Sequence, residues 1–204
     1  ATIGQWQLRM PQGYLQAEAK AELQAPYAIS ARLDWRWRLP DQLTLGGQLQ
    51  LQGDAQQLSL THQSNGDLPI ELDAVLGTFV HTTSWQARLE WQGLTLRDSI
   101  GLKGLQLSAG GLRSQGSLDG YSLHMNLAHQ DGDLPAAQWA LRGQGDAQHL
   151  RLDDISLDAL QGKVTGQAEF FWTEQPRLNL NLKAKRLDLV SLNAALPAAL
   201  DAQL

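Results

Sequence analysis

The chain has 204 residues and no cysteine, 43% of its residues are hydrophobic, 18% are charged, and its formal net charge is −5. These values exclude an intrinsically disordered chain, and the lack of cysteine excludes disulfides and thiolate metal sites while fitting an oxidising compartment. Lys and Arg are scattered along the sequence without a concentrated basic stripe, so we expect no nucleic-acid partner.

The sequence contains no recognisable signal peptide or membrane span. Its first residues lack a basic start followed by an apolar core, and no stretch approaches the roughly 20 apolar residues that a spanning helix needs. Because the chain also begins without Met, we expect it to be an internal segment of a longer protein.

The first strongly patterned region runs from Tyr27 to Leu51. Every second residue there is apolar or small, apart from Asp41, and the residues between them are almost all polar. Side chains alternate between the two faces of a strand, so this pattern predicts a sheet with one apolar and one polar surface. We expect the function to lie on the apolar surface.

Turn signals separate alternating segments along most of the chain. Three dipeptides accept positive φ at a tight hairpin tip: Asn65-Gly66, Asp119-Gly120 and Asp131-Gly132. Further breaks are expected at Pro40-Asp41, Gly53-Asp54, Gly110-Gly111, Leu134-Pro135, Gly143 to Asp146, Asp153-Asp154 and Gln175-Pro176. This spacing predicts an all-β protein with antiparallel pairing.

The apolar alternation changes phase between Leu152 and Ile155. A bulge or turn at Asp153-Asp154 would return the apolar residues on both sides of it to one face of the sheet. Farther along, only residues 190–200 have a helical pattern, and Pro197 limits that helix to a short piece near the C-terminus.

Two short segments recur in the sequence. Residues 53–60 resemble residues 145–152, and residues 31–35 resemble residues 87–91. The two separations differ, so the chain has no strict period, and we interpret it as a loosely repetitive stack of strands. We expect one repeat-like segment over 1–204, with sub-units at about 1–134 and 135–204.

The residue types that carry enzyme chemistry form no recognisable motif. The five histidines are His62, His81, His124, His129 and His149. None belongs to an HExxH pair or lies with carboxylates at metal-ligand spacing, and we interpret them as scattered surface residues. No serine lies in a GxSxG motif, and Gly143-Gln144-Gly145 lacks the third glycine of a dinucleotide site. The sequence therefore predicts no enzyme, no cofactor and no metal site.

The block from Gly145 to Leu204 has the most specific pattern in the chain. It contains the octapeptide Gly-Asp-Ala-Gln-His-Leu-Arg-Leu, the small-residue alternation of 157–169, the aromatic run Phe170-Phe171-Trp172 and a turn at Pro176. This pattern resembles the repeated strands of the TamB family, the translocation and assembly module, and more loosely the AsmA-like superfamily of bridge-like lipid-transfer proteins. The resemblance is built on small and apolar residues and on no catalytic signature.

The resemblance implies an elongated, antiparallel, curled sheet, a β-taco, with an apolar groove inside. It further implies a periplasmic segment of an inner-membrane-anchored protein of Gram-negative bacteria that reaches toward the outer membrane. Its implied function is phospholipid transport between the two membranes or the assembly of outer-membrane β-barrel proteins. The implied partners are phospholipid acyl chains or client outer-membrane proteins, and TamA through other parts of the parent protein.

The groove would be lined by apolar residues of alternating segments, whose role is to solvate acyl chains. We expect this lining to comprise Leu33, Trp35, Trp37, Leu43, Leu45, Leu49, Leu51, Leu58, Leu60, Leu89, Trp91, Leu150, Leu152, Val164, Phe170, Leu178, Leu180 and Leu182. From the alternation alone, the packed core of an ordinary sandwich is the commoner outcome, and the resemblance is what favours a groove.

Two other functions fit the same pattern. Exposed edge strands could template the strands of client proteins by β-augmentation, and could also make the chain self-associate. The chain could instead be a structural spacer or a carbohydrate-binding sandwich that uses exposed tryptophans, and that function requires a closed core.

Overall fold

The computed structural model describes residues 2–38, 44–77, 83–96, 105–130, 135–173, 175–191 and 200–203. The chain divides into two compact units, Ala1–Leu94 (unit 1) and Thr95–Leu204 (unit 2), and the boundary lies within the seventh strand. The predicted all-β, antiparallel fold is confirmed. The organisation as one repeat-like segment, with sub-units at about 1–134 and 135–204, stays a prediction.

Unit 1 is an unclosed antiparallel sheet in which each strand pairs with the next in sequence. Its strands are β1 (Thr2–Met10), β2 (Gly13–Ala21), β3 (Ile29–Arg38), β4 (Thr44–Gly53), β5 (Gln57–Ser64), β6 (Ile70–Gly77) and β7 (Ser84–Leu96). Short connections between successive strands allow only antiparallel pairing, because a parallel pair needs a long crossover.

Unit 2 follows the same plan. Its strands are β8 (Leu105–Ser117), β9 (Gly120–Gln130), β10 (Ala137–Gly145), β11 (His149–Ala159), β12 (Gly162–Phe171), β13 (Arg177–Leu187) and β14 (Leu200–Gln203). The last strand is short and pairs only with the C-terminal part of β13, at Lys183, Ala184 and Leu187.

The recurring octapeptide forms the same turn in both units. The Asp54 carboxylate accepts hydrogen bonds from the backbone N–H groups of Gln56 (2.7 Å) and Gln57 (3.0 Å), between β4 and β5. The Asp146 carboxylate accepts one from the N–H of Gln148 (2.7 Å), between β10 and β11. An Asp side chain that bonds to the backbone two residues ahead is a common turn device, and here it explains why the motif recurs.

Each octapeptide begins with a glycine because the backbone of the following strand approaches this position closely. A Cβ at Gly53 would clash with the carbonyl oxygen of Gln57, and a Cβ at Gly145 would clash with that of His149. The chain can therefore close the turn only if this position carries no side chain.

Two of the predicted breaks fall at other positions, and a third does not occur. The hairpin between β8 and β9 forms, but its two-residue turn is 118–119, and the positive φ lies at Gly116 (138°), a close approach to Gly120 inside the ladder. Gly110-Gly111 is not a break, because both residues pair with β9 inside β8. The break predicted at Gly143 to Asp146 begins only after β10 ends at Gly145. The predicted breaks at Pro40-Asp41 and Asp131-Gly132 lie outside the described residues.

The predicted phase correction at Asp153-Asp154 is a β-bulge inside β11. On the β10 side, Leu152 pairs with Gly143 and Asp154 with Arg142, which leaves Asp153 as the extra residue. The ladder with β12 shifts at the same place, between Leu152 and Ile155. One extra residue on β11 thus keeps the apolar residues on both sides of it on the same face.

Most of the predicted C-terminal helix lies outside the described residues. A 3-10 turn covers Leu189–Ser191, residues 192–199 lie outside the described part of the chain, and Leu200 already belongs to β14. Within the described residues, no helix is both long enough and apolar enough to cross a membrane.

Candidate functional site

Register places the apolar residues of unit 1 on one continuous face. Residues that pair directly across neighbouring antiparallel strands lie on the same side of the sheet. One row crosses all seven strands, through Trp6, Ala17, Leu33, Leu49, His62, Leu72 and Leu89. The apolar face of unit 1 comprises Trp6, Leu8, Leu15, Leu33, Trp35, Trp37, Leu45, Leu49, Leu51, Leu58, Leu60, Leu72, Leu76, Trp85, Leu89 and Trp91.

Unit 2 has a second such face. A row runs from β8 to β13 through Leu112, Met125, Leu141, Ile155, Gly166 and Leu182. The apolar face of unit 2 comprises Leu112, Leu123, Met125, Leu127, Trp139, Leu141, Leu150, Leu152, Ile155, Leu157, Val164, Phe170, Leu178, Leu180 and Leu182.

Every predicted lining residue that the structure describes lies on one of these two faces. Leu43 falls outside the described residues. Most of the others are half-buried, whereas Phe170, Leu178 and Leu180 are 40%, 62% and 49% exposed. The sequence-based set omitted the apolar residues of β1, β2 and β8 to β10, which the same alternation would have found, for example at Leu123, Met125 and Leu127. Their contact with a lipid stays a prediction.

The two faces carry very little packed core. Among the described residues, the buried apolar side chains are those of Ala137, Ile155 and Ala168, and no large side chain is fully buried. Large side chains of both faces are exposed, at Trp6 (65%) and Leu8 (52%) in unit 1 and at Leu178 (62%) and Leu180 (49%) in unit 2. The two apolar faces are therefore open to solvent at these residues.

Polar groups interrupt the apolar face of unit 1 at two points. The His62 ring stacks on Trp35, with ring centroids 6.0 Å apart, above Gly47, where a side chain would collide with it. His62 Nδ1 and Trp91 Nε1 are buried without a hydrogen-bond partner. Such groups destabilise the fold by about 1–3 kcal/mol each, which makes these two positions unusual within the face.

The interpretation of all five histidines as surface residues is wrong for three of them. His62 and His149 each have a buried ring nitrogen without a hydrogen-bond partner, whereas His124 is exposed and His81 lies outside the described residues. His129 is 6% exposed. Trp139 Nε1 donates a hydrogen bond to its Nδ1 (3.2 Å), and its Nε2 lies 2.7 Å from the carbonyl oxygen of Pro135. Because indole can only donate and a carbonyl can only accept, His129 is neutral with its proton on Nε2. These two hydrogen bonds fix the start of β10 against β9. The burial of His129 could not be predicted, because nothing in the sequence marks Trp139 and Pro135 as its partners.

On the opposite, polar faces, ion pairs form between residues that are two apart on one strand. Arg32 Nε lies 2.9 Å from Asp34, and Arg88 Nη2 lies 2.6 Å from Glu90, at equivalent positions of the recurring pentapeptide. The hydrogen bond to Asp34 raises the pKa of Arg32 above its usual value. These exposed pairs contribute little to the stability of the fold, and their charges keep this face hydrated.

The described residues contain few groups that could bind a metal ion or that have a shifted pKa. They contain no group of three or more His, Asp or Glu side chains that could hold a metal ion. Tyr121 is the other group with a shifted pKa, which burial and then the nearby Asp146 charge raise above its usual value. Its ring lies over Gly145, so the shift reflects packing at the edge of the apolar face of unit 2.

Comparison with known proteins agrees with this architecture. The family model described as TamB, N-terminal domain, matches residues 1–204. No curated protein and no solved structure matches the chain. Because the family match spans the whole chain, the chain belongs to the TamB family.

Proposed function

We propose that the apolar face of each unit forms a hydrophobic groove that shields phospholipid acyl chains as they pass between the inner and outer membranes, in the periplasm. The TamB family is a transport and assembly module of the Gram-negative cell envelope. Acyl chains, or apolar strands of client outer-membrane proteins, would be the occupants. Contact with TamA would be made by other parts of the parent protein.

The observation that carries this proposal is the uncovered state of both faces. A sandwich of this length would bury large side chains between two sheets, whereas Trp6 and Leu8 in unit 1 and Leu178 and Leu180 in unit 2 stand exposed here. Exposed apolar patches of this extent are typical of interaction sites. A closed carbohydrate-binding sandwich is therefore a poorer match.

The energetics suit a conduit. Burying an acyl chain of about 14 methylenes yields roughly 11 kcal/mol relative to water, at about 0.8 kcal/mol per methylene. The acyl chain leaves a bilayer that is equally apolar, so the net free-energy change on entering the groove is close to zero. Cargo can therefore enter without being trapped, and no specific polar recognition or catalytic group is needed.

The test is to purify the chain from cells, extract it with organic solvent and quantify co-purifying phospholipids by mass spectrometry. Leu180→Arg places a charge on the apolar face of unit 2, where its neighbour across the ladder is Ala168. Asn181→Arg is the matched control, because it adds the same charge one residue away on the opposite face. Circular dichroism checks that both variants fold.

We expect phospholipid on the wild type and on Asn181→Arg, and less of it on Leu180→Arg. Wild-type protein without lipid, or equal lipid on both variants, would overturn the groove.

A second candidate function is supported by the backbone edge of β13. Among the described residues, positions 177–182 pair with β12 on one side only, because β14 covers just the C-terminal part of the strand. This edge could accept an extended client strand by β-augmentation, and could also make the chain self-associate. Of Asn179 and Leu180, one directs its backbone N–H away from β12, toward the open edge. Replacing that residue with proline would then block client binding and leave the hydrogen bonds to β12 intact.

A further inference from the structure

Three arginines gather on the polar face of unit 1. Arg9, Tyr14 and Arg36 form one row across β1, β2 and β3, and Arg38 follows Arg36 on the same side of β3. Neighbouring strands lie about 4.8 Å apart, so Arg9 and Arg36 stand about 10 Å apart at their backbones, within reach of a shared ligand.

All three side chains line one open cleft of about 1140 Å³. Gly46, the ladder partner of Arg36 on β4, contributes no side chain to it, and a Cβ there would collide with the side-chain oxygen of Asn65. Tyr14 and Asn65, whose side chains can donate hydrogen bonds, also line this space. The cleft is therefore rich in hydrogen-bond donors.

The carboxylates in the cleft are already engaged. Asp34 accepts from Arg32 Nε (2.9 Å) and Nη2 (3.5 Å), and Asp67 accepts from the backbone N–H of Thr44 (2.6 Å). Neither Arg36 nor Arg38 forms an ion pair with a residue in the described part of the chain. Three arginines against these two carboxylates leave a local positive excess in the cleft, in a chain of net charge −5.

We propose that this cleft binds a phosphate group, as a phosphate monoester or diester. Guanidinium groups recognise phosphate oxygens through paired hydrogen bonds, and a tetrahedral phosphate offers oxygens in several directions at once. Arginines that approach from two strands match that geometry better than they match a planar carboxylate. The site lies on the face opposite the apolar one, so it stands independently of the proposed groove.

Calorimetric titration with inorganic phosphate, against sodium chloride of equal ionic strength, measures the site directly. The variants are Arg36→Gln, Arg38→Gln and the double substitution. The matched control is Arg88→Gln, which removes the same charge from the same face away from the cleft. We expect phosphate binding to weaken about tenfold or more in each cleft variant and to stay unchanged in the control, since each cleft variant loses a charge-assisted hydrogen bond to the phosphate.

Vesicle flotation distinguishes the sources of the phosphate. The proteins are floated with vesicles of phosphatidylcholine alone and with vesicles that also contain phosphatidylglycerol. Binding to the anionic vesicles that Arg36→Gln abolishes and Arg88→Gln retains assigns the site to a lipid headgroup, whereas binding of inorganic phosphate alone assigns it to a free phosphate. Binding of neither probe, or equal loss in the Arg88→Gln control, would overturn the proposal.

Discussion

Leu160 and Gln161 form a tight turn that neither residue type favours. Both have left-handed backbone angles, with φ of 50° and 57°, in the two-residue connection between β11 and β12. Left-handed conformations destabilise residues other than Gly and Asn by about 1–2 kcal/mol each. The turn is held from outside, because Asp188 N–H donates to the Leu160 carbonyl and Gln161 Nε2 donates to the Asp188 carboxylate.

The double substitution Leu160→Asn, Gln161→Gly should therefore stabilise unit 2, because it supplies the Asn-Gly dipeptide that such hairpins prefer. We expect a gain of about 1 kcal/mol in the free energy of unfolding, after the lost Gln161 hydrogen bond is subtracted. Denaturant titration of the double variant and the wild type measures it. Unchanged or lower stability would show that Asp188 already removes the strain.

The same turn shows what could not be predicted from residue types. The Asp54 and Asp146 turns were visible in the sequence because a carboxylate bonds to its own local backbone. At Leu160-Gln161 the hairpin depends on Asp188, far along the chain, and no local signal marks it. The burial of His129 was missed for the same reason, because Trp139 and Pro135 are its partners only in the folded sheet.

At the scale of elements, strand phase was the most informative signal. The change between Leu152 and Ile155 predicted an irregularity at Asp153-Asp154, and the β11 bulge lies there. Turn dipeptides were less reliable, as Gly110-Gly111 shows, because a glycine pair is tolerated inside a strand whose backbone pairs with its neighbour. Phase reports which side chains must share a face, whereas glycine reports only what the backbone permits.

The bulge leads to a deletion that should be tolerated. Removing Asp153 would align β11 with both neighbours without an extra residue and would keep Leu152 and Ile155 on the apolar face. The deletion removes the exposed ion pair between Asp153 and Arg151 (2.7 Å), which contributes at most about 1 kcal/mol. It also removes an exposed hydrogen bond from Gln167 Nε2 to the Asp153 carbonyl oxygen (3.3 Å). Thermal unfolding followed by circular dichroism should give a nearly unchanged midpoint.

Deletion of Arg151 is the control for this experiment. It would place Leu150 directly before Leu152, so that one of the two would turn to the polar face and half of the strand would lose its register. We expect this variant to unfold at markedly lower temperature. Similar midpoints for the two deletions would contradict the assigned position of the extra residue.

For the whole molecule, the decisive property was the exposure of the apolar faces. Alternation predicted a sheet with two unlike surfaces, but it is equally compatible with a covered core, since a side chain that faces another sheet and one that faces a lipid require the same residue types. Exposed area separates the two cases, because Leu178 and Leu180 would be buried in a sandwich. Family resemblance also favours an uncovered face, and the contact of that face with lipid stays a prediction.

If both units bind lipid, the load should be divided between them. Leu33→Arg charges the apolar face of unit 1 beside Ala17 and Leu49, and Leu157→Arg charges that of unit 2 beside Trp139 and Val164. An arginine on an uncovered face stays hydrated while the face is empty, so folding should be retained and only the burial of acyl chains opposed.

Each single variant should therefore carry less phospholipid than the wild type, and the double variant should carry none. Gln50→Arg and Ser156→Arg, on the polar faces of the same two units, should keep the full load in the same mass-spectrometric assay. A single variant that retains the full load would exclude its unit from lipid binding and confine the proposed groove to the other one.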